Sequence, residues 1–182
     1  GLKWFNTAFK HSAIFMVTFA ITATVVTFDW FMSLEPHWYS TIYGVYGFAG
    51  MFVSGWAVTV LAVLALKRQG YLSEVTEEHY HDLGKFMFAF SIFWTYIWLS
   101  QFLLIWYGNL PEEVTYFYVR TQGAWAPFFF GNVILNFAVP FFGLMMSSAK
   151  RDPRVLATVA ILILVGRFVD YYQLVMPGAL GD

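Results

Sequence analysis

Residues 155–176 read VLATVAILILVGRFVDYYQLVM, and this stretch decides the class of fold. It is long enough to cross the hydrocarbon core of a bilayer, which takes about 20 apolar residues of helix. Its only charged residues, Arg167 and Asp170, lie near its middle. Either charge would cost roughly 2.5–3.5 kcal/mol at that depth if it faced lipid. The stretch therefore predicts a membrane-spanning helix whose two charges face protein or a water-filled cavity.

Four further stretches contain no charged residue: 12–28, 38–66, 86–111 and 121–149. The composition agrees, because 59% of the residues are hydrophobic and 12% are charged, against about 25% charged in an ordinary soluble domain. We predict an all-α membrane protein with a single transmembrane domain over residues 1–182. Its five spans are expected at about 8–29, 38–66, 84–108, 121–149 and 155–176.

The basic residues of the predicted loops fall almost entirely on one side of the membrane. Cytoplasmic loops of membrane proteins carry an excess of Lys and Arg. On the opposite side of this chain, Arg120 is the only basic loop residue. We therefore predict that the N-terminus is cytoplasmic and that the C-terminus lies on the far side. The basic residues on the predicted cytoplasmic side are Lys3, Lys10, Lys67, Arg68, Lys85, Lys150, Arg151 and Arg154.

Composition also limits the chemistry that this chain can perform. The net charge is −1 with no polybasic patch, so nucleic acid is not an expected partner. The absence of cysteine excludes disulfides, thiolate metal sites, iron–sulfur clusters and covalently attached haem. The four histidines all fall at predicted interfaces, whereas a haem within the membrane needs ligands at depth. We expect no metal or cofactor on this chain, and any redox centres should belong to partner subunits.

Polar side chains line one face of the first predicted span. At about 100° per residue, His11, Thr18, Thr22 and Asp29 fall within about 20° of one line along the helix. That line is roughly 27 Å long, close to the hydrocarbon thickness. It could support a water-mediated proton path. Alternatively, the threonine hydroxyls bond to carbonyls of their own helix while His11 and Asp29 sit at the two interfaces.

Arg167 and Asp170 are three residues apart, so they can pair on one helix face. Two roles remain open for this pair: a structural ion pair that holds the bundle together, or a part in ion or proton movement. Asn132 and Asn136 are expected to bridge to another helix, and Pro140 should kink the fourth span near them.

The segment that follows the first span offers a different kind of site. Asp29, Glu35, His37 and Trp38 lie at the predicted outward interface, where an amphipathic quinol head group could bind. On the other side, the acidic segment 74–82 is expected to begin a helix with Thr76 as its N-cap.

Several long motifs resemble the NrfD-like, or polysulphide-reductase-like, membrane subunits of bacterial alternative complex III, and among them the second, ActF type. The resemblance covers nearly the whole chain. The motifs are DWFMSLEPHWYSTIYG (29–44), HYHDLGK (79–85), SQFLLIWYGNLPEE (100–113), DPRVLA (152–157) and VDYYQLVMP (169–177).

This resemblance implies a four-helix bundle plus the last, peripheral helix of the family, and a chain that is the C-terminal half of a longer polypeptide. It implies the bacterial inner membrane, with the C-terminus periplasmic. Expected partners are a second NrfD-like subunit and subunits with c-type haem and iron–sulfur clusters, with lipids around them and quinol as the substrate of the complex. The chain itself would be a cofactor-free scaffold and a candidate proton conductor. The alternative is direct quinol or quinone binding at the periplasmic face.

Overall fold

The computed structural model describes residues 2–180, and within them every long element is a helix. Short π-helical and 3-10 turns join or extend some of these helices. The helices are α1 (Leu2–Val26), α2 (Tyr43–Arg68), α3 (Glu77–Gly108), α4 (Pro111–Thr121), α5 (Ala126–Val133), α6 (Val139–Leu144) and α7 (Pro153–Leu180).

Five segments are long and apolar enough to cross a membrane, which confirms the predicted fold class. The first is α1 with the π-helical and 3-10 turns that extend it to Leu34, and the fourth runs from Gly123 to Leu144 through α5 and α6. The other three are α2, α3 and α7. Helix and predicted span differ most at α3, which begins seven residues before the predicted span because its acidic first turn is part of the same helix. Thr76 caps that turn as predicted.

Four spans form a bundle and the first span is peripheral. Spans two to five pack on one another, while α1 rests mainly on α2 and buries only Ala23. The expectation that the last helix is peripheral is therefore wrong. The reason lies in α7, which carries two charges in its apolar stretch and must turn them toward protein. α1 has no such residue in the middle of its length.

Two glycines allow close helix approaches around the polar groups of the bundle interior. A Cβ atom at Gly50 would lie 2.9 Å from the guanidinium of Arg167. A Cβ atom at Gly166 would lie 2.7 Å from the side-chain amide of Asn136. Small residues at such crossings let backbones approach and let polar side chains bond across helices. These two glycines make room for the polar groups of the bundle interior.

The fourth span is irregular at its centre, as Pro140 predicts. Proline removes one helical hydrogen bond and its ring clashes with the carbonyl four residues earlier. Residues Ile134–Ala138 form a π-helical turn that ends two residues before Pro140. Asn132, just before this turn, and Asn136, within it, are both buried in the bundle.

A short helix that we did not predict, α4, lies between the third and fourth spans. Pro111 occupies its first turn together with Glu112 and Glu113, and Arg120 lies in its last turn. This is the residue order that suits a helix dipole. Arg120 was predicted to lie in a loop, but the structure buries it against α7 with 3% of its surface exposed.

The interior of the bundle divides into two clusters along its length. We call the part next to α4 the aromatic half; its buried rings are Trp38, Tyr43, Tyr46, Trp94, Tyr116, Phe117 and Phe129. We call the part next to the 145–152 connection the aliphatic half; its fully buried members include Val60, Met87, Leu144, Leu156 and Ile163.

Candidate functional site

Asp170 lies at the centre of a buried polar network in the aromatic half. Its carboxylate accepts hydrogen bonds from the Tyr46 hydroxyl and, at 2.6 Å, from Asn132 Nδ2. The second carboxylate oxygen lies 3.3 Å from Nη1 of Arg167. The predicted pairing of Arg167 with Asp170 is confirmed, and both residues are 3% exposed.

Arg167 contacts Asn136 and Trp94 in addition to Asp170. Its Nε donates to Asn136 Oδ1 at 2.8 Å, and its guanidinium carbon lies 3.9 Å from the ring centre of Trp94. Asn136 Nδ2 in turn donates to Asn132 Oδ1 at 2.5 Å. The two asparagines, Arg167 and Asp170 thus form a closed ring of polar contacts between the fourth and fifth spans. The predicted bridging role of Asn132 and Asn136 is confirmed.

This ring explains how two charges can be stable inside a membrane bundle. Removing two ions from water costs several kcal/mol each, and the attraction between them compensates only if further hydrogen bonds satisfy the remaining polar groups. Asp170 accepts hydrogen bonds from Tyr46 and Asn132 and forms an ion pair with Arg167. Arg167 has an acceptor at Nε and an aromatic face below its plane, which provides cation–π stabilisation. Its Nη1 and Nη2 make no hydrogen bond with a described residue, so the ring satisfies Asp170 more fully than Arg167.

Arg120 forms a second polar centre nearer the end of the bundle. Its side chain donates to the carbonyls of Gln173 and Leu174, each at 3.2 Å, and of Tyr116 at 3.0 Å. It also donates to Glu35 Oε1 at 2.8 Å. The Gln173 carbonyl needs such a partner because Pro177, four residues later, has no N–H to offer it.

The uncharged side chain of Tyr116 packs beside this centre. The Arg120 guanidinium lies 3.5 Å from its ring centre, and Trp38 stacks on it with centroids 3.9 Å apart. Burial raises the pKa of Tyr116 to about 12, although Arg120 partly opposes the shift. The phenol therefore keeps its proton at neutral pH and acts as a hydrogen-bonding group rather than as a charge.

A small cavity joins the two polar centres. It has a volume of about 20 Å³ and is lined by Asp170, Tyr46, Gln101, Gln173, Tyr116 and Arg120, among others. On the other side of Tyr116 and Arg120 lies a surface groove of about 220 Å³ that Glu35, His37 and Trp38 also line. Tyr116 and Arg120 contribute to the walls of both spaces.

The predicted polar stripe of the first span lies apart from this network. His11, Thr18, Thr22 and Asp29 are all exposed on the outside of the bundle. Thr18 and Thr22 donate to carbonyls of their own helix at 2.9 and 2.8 Å, which matches the alternative interpretation. The structure does not bring the stripe together with Arg167 and Asp170. A proton path along it stays a prediction and would need a covering partner.

The candidates for the outward interface are only partly assembled. Glu35, His37 and Trp38 line the same groove, whereas Asp29 does not belong to it. Trp38 is buried, His37 is exposed, and Glu35 is held by Arg120.

Several members of the network were not predicted from the sequence. Arg120 was assigned to a loop, although its position after the Pro-Glu-Glu helix start could have indicated a helix. Tyr46 could have been found because it lies one helical turn before Gly50, a small residue of the kind that allows close helix packing. No sequence signal identifies Gln101 and Gln173, because an isolated glutamine has no fixed spacing to its partners.

Comparison with known proteins identifies one family. The family model described as "Polysulphide reductase, NrfD" matches residues 2–180, which is nearly the whole chain. No curated protein shows significant sequence similarity to it.

Proposed function

The chain belongs to the NrfD, or polysulphide reductase, family, and we propose that it is a cofactor-free membrane subunit of a quinol:electron-acceptor oxidoreductase of the alternative complex III type. Within that assembly it corresponds to the ActF subunit of the bacterial inner membrane. It anchors subunits that carry c-type haem and iron–sulfur clusters, lies beside a second NrfD-like subunit, and conducts protons through the network around Asp170. Oxidation of quinol belongs to its partners.

The buried ring around Asp170 is the observation that supports proton conduction. Ionisable residues inside a membrane bundle are rare, face the interior, and commonly mark proton or ion pathways. A purely structural pair would need no connection to the surface. Here Asp170 lines a cavity that shares two wall residues, Tyr116 and Arg120, with a surface groove.

The chemistry assigned to Asp170 is the reversible binding of a proton. Its carboxylate can accept a proton from water in the cavity, and the Tyr46 hydroxyl beside it can rotate to keep a hydrogen bond in either protonation state. The Arg167 guanidinium lies beside the carboxylate and stabilises its charge when the proton leaves. Asp170 therefore serves as the proton-binding position, with Tyr46, Asn132 and Arg167 as its supports.

The aliphatic half supports a path that opens at one end only. Its buried residues Leu144, Leu156 and Ile163 have 0–1% of their surface exposed and present no polar side-chain atom to carry water. A proton that reaches Asp170 from the Arg120 end would need groups from another subunit to continue across the membrane. A half-channel is the function that this division favours.

The test compares Asp170→Asn with Asp29→Asn in the intact complex, using proton uptake and membrane-potential assays. We expect Asp170→Asn to remove most charge translocation while quinol oxidation continues, and Asp29→Asn to have little effect. A loss confined to Asp29→Asn would transfer the path to the stripe on α1. Normal charge translocation in both variants, with normal assembly, would leave scaffolding as the sole role.

Direct binding of quinol is the second candidate, and the groove at Glu35, His37 and Trp38 is the observation that favours it. A polar rim next to a buried indole suits an amphipathic head group. The groove of about 220 Å³ is smaller than typical ligand pockets, so it would take the head group and leave the tail in lipid. Photo-crosslinking with an azido-quinone tests this role, and labelling confined to the sister subunit would exclude it.

A further inference from the structure

We infer that Arg120 and Tyr116 form a gate between the surface groove and a hydrated cavity next to Asp170, and that Glu35 holds this gate closed. The inference deepens the proposed function, since it states what controls access to the proton-binding carboxylate. The gate controls the access of water to the cavity, and this access can be tested without measuring proton transport.

The cavity has the size and the chemistry to hold water. A site needs about 10–15 Å³ and two to four polar partners to bind one water, and this cavity has about 20 Å³. Gln101 and Gln173 both line it, and among the described residues neither Nε2 atom has a hydrogen-bond partner. An unpaired buried amide is costly. A water placed between these amides and the Asp170 carboxylate would satisfy them and extend the network.

The partition between cavity and groove rests on Arg120. Of its four acceptors, three are backbone carbonyls, on α4 and α7, which are fixed by their helices. The fourth is the Glu35 carboxylate, on a connecting segment and about a quarter exposed. Glu35 is thus the one acceptor that can leave by a side-chain rotation. When it leaves, the guanidinium loses its charged partner on the groove side and can tilt away from Tyr116.

Gly178 supplies a second, independent way to disturb the same contact. A Cβ atom at position 178 would lie 2.8 Å from the carboxyl carbon of Glu35. The atoms that it meets are the flexible end of a side chain, so Gly178→Ala should displace the Glu35 carboxylate from Arg120 without removing its charge. Glu35→Gln removes the charge and leaves the shape. Two variants with different chemistry should therefore produce the same opening.

The chain contains no cysteine, which allows a direct measurement of access. Gln173→Cys places one thiol in the cavity, and Gln101→Cys is a second reporter if the first variant fails to assemble. Intact complexes are treated with methyl methanethiosulfonate, a small neutral reagent; the thiolate attacks its sulfur, forms a methyl disulfide and releases methanesulfinate. Mass spectrometry of the peptides from this chain gives the labelling rate.

Two further single-cysteine variants define the fastest and the slowest labelling rates to be expected. Thr115→Cys, exposed in the groove, should react fast in every background. Ile163→Cys, in the aliphatic half, should react slowly in every background. Glu112→Gln is the matched charge control, because Glu112 lines the same groove but makes no ion pair with any described residue.

We expect the cavity thiol to react slowly with Glu35 present, and roughly tenfold faster after loss of one charge-assisted hydrogen bond in Glu35→Gln or Gly178→Ala. Glu112→Gln should leave the rate unchanged. Equal rates in all backgrounds would overturn the gate, as would fast labelling with Glu35 intact. If Asp170→Asn transports charge normally while labelling still depends on Glu35, the gate stands and proton conduction fails.

Discussion

The two halves of the bundle are built from the same helices, but one has an aliphatic interior and the other an aromatic and polar one. In the aliphatic half, Leu144, Leu156 and Ile163 fill the interior almost completely. In the aromatic half, gaps between the packed rings are partly filled by charged and amide side chains, and a small cavity remains. Tyr and Trp suit this role because each combines a large apolar face with one polar atom. The aliphatic half therefore acts as the barrier to water, and the aromatic half of the same bundle contains the polar site.

The largest expected effect comes from breaking the ion pair in the aromatic half. Arg167→Met should destabilise the protein by about 3–5 kcal/mol, because it leaves Asp170 as an uncompensated buried charge. The double variant Arg167→Met/Asp170→Leu should recover part of that loss, since replacing both charges by apolar groups is often neutral. Thermal unfolding of the purified complex in detergent measures both. A double variant less stable than the single one would show that the pair is not the source of the cost.

A pair of near-isosteric exchanges tests whether the two halves are truly specialised. Leu156→Asn places an amide in the aliphatic half, and Asn132→Leu removes one of the donors to Asp170. Each should cost about 1–3 kcal/mol, the penalty of an unsatisfied buried polar group.

The two exchanges should differ in passive proton leak, measured in liposomes with an internal pH-sensitive dye. Only Leu156→Asn should increase the leak, because it brings a water-binding group into the barrier. Equal leak from both variants would mean that the aliphatic half is not the seal.

The difference between the halves also shows what the sequence could reveal. The five spans, and the pairing of Arg167 with Asp170, follow from local rules: length in residues, cost of charge in lipid and spacing along one helix. Their partners Tyr46 and Trp94 lie on other helices and are one Tyr and one Trp among 11 and eight in the chain. Only the packing of α2 and α3 against α7 selects them.

The stripe on α1 shows the same limit of local rules. Helical spacing correctly placed His11, Thr18, Thr22 and Asp29 on one face, but spacing does not tell which face meets the bundle. α1 turns a different face to α2, through Ala23. Arg120 was missed because proximity to Gln173 across more than 50 residues is a property of the fold and of Pro177, not of either local sequence.

A smaller effect is expected from the glycines that make room for the network. Gly166→Ala should cost about 1–3 kcal/mol, because its Cβ atom would press on the Asn136 amide and force a shift in a packed interior. Gly131→Ala, in α5 with open space around it, should instead stabilise the helix by roughly 0.5–1 kcal/mol. Melting temperatures of the two variants, compared with the unchanged protein, should move in opposite directions. Parallel shifts would contradict the close approach at Gly166.

The smallest effect concerns Lys150, the buried cation at the aliphatic end. Arg120 has four acceptors, whereas Lys150 donates to a single carbonyl, that of Met145 at 3.2 Å. Burial, and then the neighbouring Lys85, lower the pKa of Lys150 below its ordinary value of 10.5. Between the lowered value and 10.5 the unfolded chain binds more protons than the folded one, so stability should rise with pH in that window.

Lys150→Met removes the titrating group and should flatten this rise, while Lys85→Met should reduce the shift without abolishing it, because burial is the larger cause. Unfolding midpoints recorded between neutral and alkaline pH measure the slope. An unchanged slope in Lys150→Met would mean that other groups cause the rise of stability with pH. Lys150 would then not be the buried cation that contrasts with Arg120.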